Sequence, residues 1–256
     1  MTLPTLFISH GSPMMAVEAG ATGAFFRKLG AELPRPKAIL CVSAHWMTEA
    51  PAVAGTVKPE TIHDFYGFPE ALYRIRYPVP GAADLATRTQ ALLQAAGAGC
   101  VVDPEYGLDH GAWVPLSYLY PAADIPVAQL SVQPYQDAAW HFRLGEALAP
   151  LREEGVLILG SGSSTHNLRE LYRGSDAVVP WAAAFDDWLG QTLEEGKVAE
   201  GLDWVETAPQ ALRAHPTPEH FLPLFVPWGA SKGAAARRIH SGFSSGSLSL
   251  SAFAFD

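Results

Sequence analysis

The sequence predicts an α/β fold: one domain over residues 1–256, with a central mixed or largely parallel sheet flanked by helices. Two observations carry that expectation. Short apolar runs of strand length alternate with longer segments of helical period, the order that builds parallel sheets covered on both faces. The composition also supports a sizeable core, since 48% of the 256 residues are hydrophobic and only 17% charged, which excludes disorder. The length admits one large domain or two small ones. No repeat, low-complexity tract or linker divides the chain, which favours one.

The elements follow in order. "TLFIS" (5–9) reads as a buried strand running into Ser9-His10-Gly11-Ser12-Pro13. "GATGAFFRKLGAEL" has helical spacing. "AILCVSA" (38–44) is the second strand, with Cys41 a small core residue and His45 at its end. "IHDFYGFPEALYRIRYPVPG" is rich in Pro and Gly but too aromatic for a tether, so it reads as an ordered loop. "AADLATRTQALLQAAG" is the clearest helix, with Gly97 as its stop. "GLDHGAW" is a loop carrying His110, ahead of a third strand, "IPVAQLSV" (125–132). "AAWHFRLGEALAPLREEG" reads as one helix ending at Gly155, and "VLILGSG" (156–162) as the fourth strand. "WAAAFDDWLGQTLEEG" follows Pro180, which suits a helix start. "AHPTPEHFLP" is a second ordered loop, and the alternating "SLSLSAFAF" reads as a last strand.

Charge and cysteine content narrow the function. The net charge is −9 and the longest basic cluster is Arg237-Arg238, which argues against nucleic acid and anionic membrane surfaces as partners. Two cysteines, Cys41 and Cys100, are too few for a disulfide framework and read as reduced. The N-terminus lacks a signal-peptide pattern, and no apolar run nears the roughly 20 residues of a membrane span. A cytoplasmic protein is the expectation.

The nine histidines carry the chemistry. C-terminal strand ends of a parallel sheet meet on one edge, so His10, His45 and His166 are expected within reach of one ion. His110 and His220 sit in turn-rich loops beside them. A lone histidine is more often hydrogen-bonded structure than ligand. On that ground His141, on a helical pattern, is read as structural, and His215 and His240 as surface residues. His63 stays open between lid and packing. The set contains no HExxH and no paired CxxC. Imidazole suits Zn, Fe, Cu and Ni, and two or three histidines with a carboxylate leave open positions, which means catalysis rather than structure. "GSGSS" (160–164) fits neither G-x-S-x-G nor a phosphate-binding loop.

Together "HGSPMM", "VSAHW", "TIHDFYGFP", "DHGAW", "IPVAQLSV", "GSGSSTHNL" and "PTPEHFLPL" resemble the class III extradiol ring-cleavage dioxygenases, in their DOPA 4,5-dioxygenase-type subgroup. The resemblance covers nearly the whole chain. It implies an α/β core with the metal site at one end of the sheet, with His10, His45 and His220 as metal ligands. It implies His166 as acid/base close to the metal, and His110 as a second acid/base or oxygen-stabilising group. Glu219 adjoins His220, where the protocatechuate branch supplies a glutamate ligand; the subgroup pattern favours His220. Fe(II) is the implied cofactor for activity, with Zn(II) a credible occupant. The substrates would be a catechol and O2. The aromatic loop with His63, Phe65, Tyr66 and Phe68 is the expected substrate wall. Arg74 or Arg76 is the expected partner of a substrate carboxylate, set against the plainer reading of surface arginines at a helix end. Rival readings are a zinc-dependent hydrolase using the same histidines and a non-catalytic protein on the same scaffold.

Overall fold

The computed structural model describes residues 2–172 and 177–256. Ten strands are present among them: β1 (Thr5–Ser9), β2 (Ala38–Met47), β3 (Ala52–Ala54), β4 (Val101–Asp103), β5 (Val127–Val132), β6 (Val156–Gly162), β7 (Ala236–His240), β8 (Phe243–Ser244), β9 (Leu248–Ser249) and β10 (Ala252–Phe255). Eight form one mixed sheet in the order β4-β3-β5-β2-β6-β1-β10-β7, and β8 pairs only with β9. The central strands β5, β2, β6 and β1 are mutually parallel, while β10 returns antiparallel to β1. All four central strands therefore end on one edge, where α/β sheets build their sites.

Alternation along the strands sorts side chains to two faces. Leu6 and Ile8 of β1, with Ile39 and Cys41 of β2, pack on one side with Phe26 of helix Gly20–Glu32 and Trp113 and Leu116 of helix His110–Leu119. Phe7, Phe253 and Phe255 face the other side, against Phe185 and Leu189 of helix Pro180–Glu194 and Trp228 of helix Phe225–Ala230. Leu40, Val42, Leu130 and Ile158 extend that side, under helices Ala83–Ala95 and Ala138–Leu148. Cys41 and Cys100 are free and buried. No helix among the described residues is long and apolar enough to cross a membrane.

The sequence reading did not include β3, β4, β7 or β8, and four of its own assignments differ in detail. The segment 138–155 breaks into helices Ala138–Leu148 and Pro150–Glu153, because Pro150 has no N–H to continue the ladder. The alternating C-terminal run is two strands in different sheets, β9 and β10, separated at Leu250 and Ser251. His110 is not in a loop: it is the first residue of a helix whose N-cap, Asp109, accepts the Ala112 N–H. The aromatic loop contains a five-residue helix, Glu70–Arg74.

Candidate functional site

Five histidines reach the sheet edge from five segments. His10 is the first residue past β1; its N–H donates to the Gly162 carbonyl at 3.0 Å, and Gly11, at φ +69°, turns the chain away. His45 lies where the β2–β5 register shifts between Val42 and Met47, an irregularity of the kind that re-aims a side chain. His110 opens its helix. His166 follows β6, its N–H held by the Ala214 carbonyl at 2.8 Å. The carbonyl of His220 accepts the Ser163 N–H at 2.8 Å, which lays the proline-punctuated loop onto the end of β6. Gly162 permits that approach: a Cβ there would run into the His220 carbonyl.

The rings converge. Centroids of His45 and His110 are 3.9 Å apart, those of His10 and His45 5.0 Å, and those of His45 and His220 4.9 Å. His166 stacks on His220 at 3.4 Å. All five line one cavity of about 660 Å³, whose other walls include Met14, Phe65, Phe68, Leu168 and Leu248. Two groups of close donor atoms stand out, His10 with His45 and His110, and His166 with Glu219 and His220. The expected ligand set draws two residues from the first and one from the second.

Hydrogen bonds set the nitrogens. Ser161 Oγ donates to the Gly111 carbonyl, so it accepts from His10 Nδ1 at 3.1 Å. His220 Nδ1 donates to Glu219 Oε1 at 3.0 Å, and His45 Nδ1 lies 3.3 Å from Asp64 Oδ2. The His10 and His220 rings thus carry their proton on Nδ1 and their lone pair on Nε2, and the carboxylate facing His45 Nδ1 favours the same tautomer there. Yet Nε2 of His10 and of His45 face each other at 3.1 Å. Two lone pairs turned together repel unless they share a cation, so this donor set fits a divalent metal.

Burial agrees. Desolvation, then the neighbouring histidines, holds His10 and His220 well below the usual imidazole value. His45 is held down to about 3 by burial and His110, against Asp64, and His166 to about 4 by burial. Neutral imidazoles are the form that ligates metal and accepts protons. Behind them Asp109 is fully buried. It accepts from Ser43 Oγ at 2.6 Å and from Gln129 Nε2, and burial raises its carboxyl.

Of the residues expected at the substrate wall, Phe65 lines the cavity and lies edge-on to His110 at 5.6 Å. His63 sits behind it, edge-on to Phe65, with Nε2 bonded to the Ile75 carbonyl. Tyr66 is 91% exposed, outside the lining. Arg74 is also outside it: its exposed guanidinium pairs with Glu70 one helical turn away. Arg76 bonds the Tyr73 and Ile75 carbonyls.

Two surface assignments are corrected. His215 is 1% exposed within a ring of Phe185, Trp204 and Phe221, and its Nε2 donates to the Ser164 carbonyl. His240 is partly buried, stacked on Phe25 at 4.4 Å and bonded to Thr22. Polar sequence neighbours hid these tertiary partners. His141 is structural, fully buried between the Asp137 carbonyl and the Gln133 N–H. The sequence reading did not single out Asp64, Asp109 or Ser161. The available signals were a carboxylate among the aromatic residues 63–68 and an N-cap residue at 109.

Comparison with known proteins agrees with this geometry. A family model described as the catalytic LigB subunit of aromatic ring-opening dioxygenase matches residues 4–255. A 4,5-DOPA dioxygenase extradiol of Beta vulgaris is 48% identical, covering 98% of this chain and 96% of its own. One of Escherichia coli K12 is 42% identical, covering 97% and 93%. The crystal structure of an uncharacterized protein from Escherichia coli K12 superposes with a TM-score of 0.84 at 36% identity, covering 99% of this chain and 100% of that one.

Proposed function

The chain belongs to the LigB family of aromatic ring-opening dioxygenases and is an extradiol ring-cleaving enzyme; from that premise we propose which residues do the work, on which metal and which substrate. We read 1–256 as one catalytic domain. Its substrates are O2 and a catechol of the DOPA type, the compound named in the relatives above. His10, His45 and His220 hold the metal. The observation that carries this is the inward-facing Nε2 pair of His10 and His45, each with Nδ1 engaged elsewhere. Fe(II) is the active occupant, because Zn(II) has no redox chemistry with which to activate O2. Held by His10, His45 and His220, an Fe(II) ion would supply Lewis acidity toward the catechol hydroxyls and a redox centre for O2.

The protein's own groups do the rest. His166, held neutral beside the cavity, takes the catechol proton onto its ring. His110 lies beside His45 with Nδ1 engaged by Asp64 and serves at Nε2 as a second acid/base, taking a proton and returning it to the oxygen delivered to the ring. Phe65, Phe68 and Met14 flank the aromatic substrate and exclude water from the reacting face. His63 supports Phe65 from behind.

The test is O2 uptake with L-DOPA and a panel of simple catechols, after stripping metal and reloading anaerobically with Fe(II) or Zn(II). Uptake with the iron form alone, giving a coloured ring-opened product, is expected. No uptake with either metal would overturn the reading and turn attention to ester hydrolysis by the zinc form.

A further inference from the structure

Asp64 is a carboxylate that faces two of the site histidines. Its Oδ1 accepts the backbone N–H of His110 at 2.9 Å and its Oδ2 accepts His110 Nδ1 at 2.9 Å. The same Oδ2 lies 3.3 Å from His45 Nδ1. Main chain and ring of His110 are therefore gripped by one side chain. An ionised carboxylate has no proton to give, so each facing Nδ1 must be the donor. That leaves the lone pair of each imidazole on Nε2.

We propose that Asp64 is a positioning residue that fixes the tautomers of His45 and His110 together, so that Nε2 of the first serves the metal and Nε2 of the second serves the reacting oxygens. The role rests on the assignment of His45 and His110 above. It couples the two groups: a change at position 64 disturbs a ligand and an acid/base at once.

Asp64→Asn tests it with little change of shape. The amide oxygen can keep the His110 N–H, which turns the NH2 group toward Nδ1 and drives the proton of His110 to Nε2. Two readouts separate the proposal from a merely structural role. The first is 15N–1H long-range correlation spectroscopy on zinc-loaded, 15N-histidine-labelled protein. His110 is expected with its proton on Nδ1 in the native chain and on Nε2 in Asp64→Asn. A native His110 protonated on Nε2 would overturn the proposal, and this arm stands even where the variant does not fold.

The second is kinetic, with the iron form and L-DOPA. Asp64→Asn is expected to lower kcat by about 10²–10⁴-fold with KM unchanged, and Asp64→Glu to restore part of it. In a His110→Ala background, assayed with the metal site fully loaded, Asp64→Asn should lower kcat by less than in the native background, because only its effect through His45 remains. An equal cost in both backgrounds would overturn the proposal. If the native enzyme cleaves no catechol, the proposed reaction fails, while the tautomer measurement still decides the role of Asp64.

Discussion

At the residue scale, each imidazole of the proposed metal triad is defined by what its other nitrogen meets. His10 leans on a serine, His45 on the Asp64 carboxylate and His220 on Glu219. A carboxylate behind a ligating histidine orients the ring and makes it a stronger donor. Glu219→Gln keeps an oxygen for Nδ1 but removes the charge. It is expected to weaken metal binding by about 10–100-fold without unfolding the chain. Titration of the metal-loaded protein against a competing chelator measures this, and an unchanged affinity would assign Glu219 to the loop rather than the metal. Glu219 was visible in the sequence only as a neighbour of His220. Whether a carboxylate ligates directly or acts through the next residue's ring depends on side-chain direction, which "TPEH" does not encode.

At the scale of elements, β6 organises the site through its glycines. A Cβ on Gly162 would meet the His220 carbonyl, and one on Gly160 the Pro223 carbonyl. The strand is bare where the 220–223 segment crosses it, and that crossing delivers His220. Gly162→Ala is expected to destabilise the fold by about 1–3 kcal/mol through overpacking, and to lower metal content because His220 is pushed from its partners. A thermal melt together with metal analysis checks it; a stable variant with full metal content would show that the segment can give way. The central strands and long helices were legible because apolar period survives in each, from "TLFIS" to "AADLATRTQALLQAAG", whereas the short β3 and β4 and the charged β7 carry no such run. The helix start at His110 was missed although Asp109 is a good N-cap residue, since "GLDHGAW" also carries two glycines and looks like a turn. The C-terminal alternation was read as one strand because period alone cannot show that the chain leaves one sheet for another at Leu250 and Ser251.

At the scale of the whole molecule, the strand order β4-β3-β5-β2-β6-β1-β10-β7 brings distant histidines together. No local pattern encodes that order; only the convergence of parallel strand ends was predictable. The same packing buries titratable rings outside the cavity lining, with a consequence for stability. His141 is held down to about 4, by burial against a smaller opposing pull from its bond to the Asp137 carbonyl. His215 is held down to about 3, by burial against its bond to Ser164. In the unfolded chain both return to the usual value of about 6.5. Between the folded and unfolded values the unfolded chain binds more protons, so stability rises with pH there. The contribution is fully present above about pH 6.5 and is lost as the pH falls toward 4 for His141 and 3 for His215. At about pH 5 the loss is about 2 kcal/mol for each ring, a large share of the roughly 5–15 kcal/mol that holds a domain folded. His141→Gln cannot take up that proton. Urea unfolding at about pH 7.5 and about pH 5 is therefore expected to show a pH-dependent loss smaller by about 2 kcal/mol in the variant than in the native chain. An identical loss in both would mean that His141 is protonated within the fold, with its contacts to Asp137 and Gln133 rearranged.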